Sequence, residues 1–146
     1  MVKHIDVDEL LEALDKNEGN QSIMDCTTSK IQKDKNDLLQ KLHFKSADIK
    51  YLLNKLKDYR FVDEIKDLNY GCYVRWINMI DPTNLKVTNG GFICDMKASN
   101  SDYIISCKNT LNHYFSFRVS ECLIFQKLTN SEKLILNALD YLEKNK

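Results

Sequence analysis

The sequence predicts an α+β protein: N-terminal helices forming a helical hairpin, a five-stranded antiparallel small β-barrel, and a C-terminal helix. Three observations carry that expectation. Both ends of the chain repeat apolar residues at i, i+3, i+4 and i+7, the spacing of one helix face. Residues 71–128 instead hold five short runs rich in β-branched and aromatic residues, with a turn signal after each of the first four. At 146 residues and 43% apolar, the chain is one ordinary domain, or a small domain with helical attachments, and can bury a real core.

The first helix is expected over residues 6–16, where Val7, Leu10, Leu11 and Leu14 share a face and Asp6 with Glu9 can cap it. A helix of that length is marginal alone, so its apolar stripe needs a partner. Residues 17–28 are polar, contain Gly19 and read as a linker, which makes 1–28 an acidic helical arm. Ser29 and Gln32 form a capping box for a second helix reaching about Leu42, with Ile31, Leu38 and Leu39 on an imperfect stripe. After His43-Phe44-Lys45, Ser46 can cap a third helix in which Ile49, Leu52, Leu53 and Leu56 recur with helical spacing. The short joint makes 29–67 a helical hairpin. Tyr59, Phe61, Val62 and Ile65 prolong the apolar content but lose the period.

The small β-barrel is expected over 68–128. Its runs are 72–80, 85–88 resuming through 91–96, 103–108, 114–119 and 122–128. Asp81-Pro82 presets a type I turn. Gly90-Gly91 interrupts the second run and reads as a bulge or bend. The last connection, VSE, is nearly turnless, which favours closure, and closure removes exposed edges. Thr129 and Glu132 then box the start of a helix over 129–146, with Leu134, Ile135, Ala138, Leu139 and Leu142 on its apolar side.

Composition excludes more functions than it suggests. Net charge is zero but uneven: residues 1–25 are five negative and residues 30–60 five positive. The plain reading is two solvated helix faces of opposite sign; the sharper one is a polyanion contact by the basic helices. Nothing in the helix pair singles out a DNA-recognition helix. The acidic, periodic N-terminus is unlike a signal peptide, and no apolar run is long enough to span a membrane. Cys26, Cys72, Cys94, Cys107 and Cys122 are odd in number, without a C-x-x-C pair. They read as free thiols of a reducing, intracellular compartment.

No chemistry-bearing motif stands out. His4, His43 and His113 fall in a terminus, a joint and a strand edge, and no nucleophile elbow or cysteine-protease signature surrounds any Ser or Cys. Cys94, Cys107 and Cys122 stand one per strand, which is core spacing rather than zinc spacing. Gly90-Gly91 lacks the frame of a phosphate loop. The expectation is a protein without catalysis, metal or cofactor. Alternation places Tyr73, Arg75 and Ile77 on one face of their strand and Cys72, Val74 and Trp76 on the other. Aromatics beyond those filling a core can cage a cation or stack on bases beside basic side chains. The candidate binding residues are Tyr73, Arg75, Trp76, Lys97, Tyr103, Lys108 and Arg118.

The run GCYVRWINMIDPTNLKVTNGGFI, followed by a strand and then FSFRV and LIFQKL, resembles a small β-barrel module of large DNA virus proteins. The residues carrying the likeness are Gly71, Tyr73, Val74-Arg75-Trp76, Gly90-Gly91 and Phe125 before Lys127, with LLNKLKDYRFVDEI preceding them. It covers about residues 50–128. The resemblance implies an Src-homology-3-like or Tudor-like barrel and a viral setting, in host cytoplasm or virion, and transfers no activity. The leading functional expectation is a non-enzymatic protein-interaction or structural module, docking a protein partner or self-associating through the N-terminal helix. The alternative is a nucleic-acid-binding module using the basic helices 30–60 and the barrel aromatics. A membrane partner is not expected.

Overall fold

The computed structural model describes residues 7–16 and 26–144. It forms two units, one from residues 1–44 with 128–146 and the other from residues 45–127. The expected Asp6 cap, most of the 17–28 linker and His4 lie outside the described residues.

The first unit is helical: α1 (Val7–Lys16), α2 (Thr28–Lys41) and, after α3 (Ser46–Lys55) of the second unit, α4 (Asn130–Lys144). Leu10, Ala13 and Leu14 of α1 pack with Ile31 of α2 and with Leu134, Ile135, Leu136 and Leu139 of α4. Half of the expected stripe thus finds a partner within the chain: Leu10 and Leu14 pack, joined by Ala13, whereas Val7 and Leu11 stay exposed. The Thr129 box forms as read: Thr129 N–H donates to Glu132 Oε1 at 3.0 Å and Glu132 N–H to Thr129 Oγ1 at 3.1 Å. At α2 the cap is Thr27 rather than Ser29; its hydroxyl accepts from Lys30 N–H at 3.2 Å. Asp140 of α4 takes the next free donor, accepting from Thr28 N–H at 2.9 Å and from the Thr28 hydroxyl at 2.5 Å. A carboxylate at that end also opposes the positive pole of α2.

The second unit holds α3 (Ser46–Lys55) and six strands: β1 (Tyr59–Val62), β2 (Tyr73–Asn78), β3 (Gly91–Ser99), β4 (Asp102–Lys108), β5 (Tyr114–Arg118) and β6 (Cys122–Lys127). Their order is β1-β6-β2-β3-β4-β5, every neighbouring pair antiparallel. This corrects the expected five-stranded barrel: the sheet is open, has six strands, and its edges β1 and β5 do not pair with each other. Two features caused the difference. Tyr59–Val62 is a strand, although its apolar residues read as a fraying continuation of α3. The 85–88 run contributes only one bridge, Ile77 to Val87, instead of opening the second strand.

The sheet coils strongly without closing. Its inner face carries Val62, Val74, Trp76, Ile93, Ile105, Cys107, Phe117, Cys122 and Ile124. Trp76 on β2 and Phe117 on β5 stack with ring centroids 4.3 Å apart. In a flat sheet those strands would lie about 14 Å apart, three strand spacings. A bulge in β3 between Ile93 and Asp95 supplies local bend and twist. The outer side of the β1-β6-β2 half is buried as well, through Tyr59, Ile77, Leu123 and Phe125. Burial on both faces explains why β6 reads as an unbroken apolar run rather than an alternation.

A polar residue follows that run within β6. Gln126 is fully buried; its Oε1 accepts from Asn69 N–H at 2.9 Å and its Nε2 donates to the Asp67 carbonyl at 3.0 Å. It fastens the 3-10 turn Ile65–Asp67 and the residues after it to β6.

Phe117→Ala should lower the unfolding free energy in urea by about 3–5 kcal/mol, the cost of emptying a large aromatic site. Tyr114→Ala, three residues earlier on the same strand but exposed, should change it by less than about 0.5 kcal/mol. Equal effects would mean that the Trp76–Phe117 contact does not hold the coil.

Candidate functional site

Cross-strand register gathers a row of side chains on the outer face that no single strand reveals. Tyr73 pairs with Phe92, Phe92 with Lys108, and Lys108 with Tyr114, so one row crosses β2, β3, β4 and β5. Directly opposed residues share a face and lie about 5 Å apart, close enough to act together. Tyr73 meets Phe92 edge-on, centroids 4.9 Å apart at 84°. Lys108 Nζ stands 5.9 Å from the centre of the Tyr114 ring. Phe92 and Tyr114 are 45% and 69% exposed, so this contact leaves their faces in solvent.

Gly90 builds one end of the row. Its φ is +86°, which L side chains rarely adopt, and a Cβ there would lie 2.2 Å from the Val74 carbonyl oxygen and 2.8 Å from the Tyr73 ring. The neighbouring Tyr73 hydroxyl donates to the Asn89 carbonyl at 2.6 Å. Arg75 follows Tyr73 on the same face, its guanidinium 5.5 Å from the Tyr59 ring centre. Burial pushes the Tyr59 phenol up, while Arg75 pulls it down.

Further along the face, Ser106 and Ser116 are hydrogen-bonded at 3.0 Å, and Lys97, Ile104 and Arg118 form the next row. Arg118 Nη1 lies 3.9 Å from Asp102 Oδ2. Asp102 accepts from the Ser120 hydroxyl at 2.6 Å and from Tyr103 N–H at 2.7 Å. These bonds, the Ser120 hydroxyl first, hold its carboxyl below the usual carboxylate range.

Of the candidates, Tyr73, Arg75, Lys97, Lys108 and Arg118 therefore share the outer face. Trp76 points inward and is consumed by the core stack. Tyr103 pairs with Ala98, which turns it to the side opposite Lys97 and Arg118. Phe92 and Tyr114 are the members that sequence reasoning left out. Alternation places residues on the faces of one strand, but the row depends on register between strands. The basic stretch 30–60 is divided between the two units, and its Lys35 is buried.

The remaining reactive groups are arranged otherwise. Cys94, Cys107 and Cys122 carry free thiols. Burial pushes the Cys107 thiol up to about 12 and the Cys122 thiol up to about 11, so both stay protonated and unreactive at neutral pH. Cys94 is exposed, at the β3 bulge. Among the described residues, no three or more His, Cys, Asp or Glu side chains are placed to hold a metal ion, and no helix is long and apolar enough to cross a membrane. No protein-family model, curated protein or solved structure matches the chain.

Gly90→Ala should displace the Tyr73 ring, seen as changed aromatic NMR shifts for Tyr73 and Phe92; unchanged shifts would contradict the packing described. Asp102 gives a pH signature. Its folded pKa lies below the unfolded one, so its stabilisation is complete above the ordinary carboxylate pKa of about 4 and is lost as pH falls through the folded value. Asp102→Asn should therefore flatten the acid limb of a stability-against-pH curve; an unchanged limb would count against the Ser120 tether.

Proposed function

We propose that the chain is a non-catalytic module that binds single-stranded nucleic acid across the outer face of β2, β3, β4 and β5. The supporting observation is the in-register row of Tyr73, Phe92, Lys108 and Tyr114, aromatic faces interleaved with a cation. Base–aromatic stacking is worth about 1–3 kcal/mol per base and tolerates any sequence, because every base presents a π-face. Three strand spacings, about 14 Å, give room for about two or three bases. Lys108, Lys97 and Arg118 stand where the phosphates of such a strand would run. Zero net charge means that attraction comes from this local cluster rather than from a long-range field.

The test is fluorescence anisotropy of the purified full chain with labelled oligo-dT and oligo-U. Binding should weaken with salt, with a log–log slope of about −0.7 per phosphate contacted. Phe92→Ala and Tyr114→Ala should each cost about 1–3 kcal/mol, and Lys108→Ala should shallow the slope by about 0.7. No binding at low salt, or binding indifferent to all three substitutions, would remove the proposal.

A protein-docking module is the second reading, favoured by Val7 and Leu11 of α1, which are 63% and 55% exposed. It takes precedence if the sheet face binds no oligonucleotide and Val7→Asp with Leu11→Asp abolishes self-association or partner capture.

A further inference from the structure

The two edges of the sheet are built differently. β1 is four residues long and is flanked by Asp58 and Asp63, charges that discourage an added strand. β5 reads Tyr-Phe-Ser-Phe-Arg, with no proline and no acidic residue, and Tyr114, Phe115 and Ser116 are exposed. Among the described residues its outer edge pairs with no strand.

The groups presented by that edge follow from the hairpin. Asn109 N–H donates to the His113 carbonyl at 3.0 Å, which makes 109 and 113 a hydrogen-bonded pair. Such pairs alternate along an antiparallel ladder. With the observed register, Phe115 and Phe117 direct their N–H and C=O groups to β4. Tyr114, Ser116 and Arg118 direct theirs outward.

We infer that β5 is a self-pairing edge, joining two copies of this chain as antiparallel β5 strands about a two-fold axis at Ser116. In that register each outward residue exchanges both backbone bonds with its counterpart: Ser116 with the partner's Ser116, and Tyr114 with the partner's Arg118 at both ends. The side chains agree with the backbone. Each Tyr114 ring meets the partner's guanidinium, a favourable cation–π pairing on the outer face. On the inner side Phe115, 45% exposed in the single chain, lies opposite the partner's Phe117. Moving the axis to Phe115 or Phe117 would still oppose outward-directed groups, but it would pair two of the three outward residues of the strand instead of all three and lose both Tyr–Arg pairs. The strand's own order of residues thus selects a second copy as occupant. This inference does not rest on nucleic-acid binding, and its readout uses none.

Sedimentation equilibrium of the full chain tests it. The wild-type chain should show a monomer–dimer equilibrium at micromolar concentration. Ser116→Pro removes an N–H directed away from β4, so the chain's own ladder survives; it should be monomeric with an unchanged circular dichroism spectrum. Tyr114→Arg sets like charges opposite each other twice and should weaken the dimer by about tenfold or more. Tyr114→Glu sets a carboxylate against the partner's Arg118 and should keep the dimer. A wild-type chain that stays monomeric at high micromolar concentration would overturn the inference. So would a Tyr114→Arg dimer as tight as the wild type, even if Ser116→Pro failed to fold.

Discussion

Three residues set the shape of the sheet. Val119–Glu121 form a single 3-10 turn that carries the chain from β5 to β6, strands four places apart in the sheet order. In a flat sheet that separation is about 19 Å. A fully extended link of this length spans no more than about 14 Å, and a 3-10 turn spans less. The sheet must therefore coil until β5 approaches the β6 end, and the rest follows. The coil creates an interior, the interior is filled by Trp76 and Phe117 face to face, and the β3 bulge supplies part of the bend.

The same link explains where sequence reading succeeded and where it failed. Its shortness was legible, and from it closure was inferred. Closure did not follow, because β6 pairs with β1 and β2 rather than with β5. Strand β1 was hidden by its context: Tyr59 and Phe61 continue an apolar series begun in α3, and Arg60 inside the strand looks like a solvent position although it is buried. The elements defined by local chemistry were legible. The reciprocal bonds between Thr129 and Glu132 involve residues three positions apart and are decided without tertiary information, whereas the stripe of α1 was legible only in part, since Val7 and Leu11 are exposed and Ala13 is buried.

The candidate site divides along the same line. Tyr73 and Arg75 share a face by strand alternation, a local property. Their association with Lys108 is a matter of register across three strands, set by Gly90, Gly91 and the β4 pairing, and no periodicity encodes it. Trp76 illustrates the converse. It is the largest aromatic in the β region and the natural candidate for a stacking platform, yet the coil requires a bulky side chain inside at that point. Size made it core, and the smaller rings opposite were left to solvent.

The bulge at Cys94 ties this face to the fold. Before it, even-numbered Phe92 lies outside and odd-numbered Ile93 inside; after it, Met96 packs inward and Lys97 lies outside. One additional residue reverses the parity of the strand. With strict alternation Lys97 would share the face of Ile93 and enter the apolar interior, where an ammonium without a partner is costly. The bulge lets a strand begin with an aromatic on the outer face and end with a cation there, while apolar residues from both halves fill one core. The Cys94 thiol is exposed on the side of Phe92, whereas Cys107 and Cys122, on the inner face, are buried and protonated. The bend that the short link requires and the alignment of the outer face thus have a common source in β3.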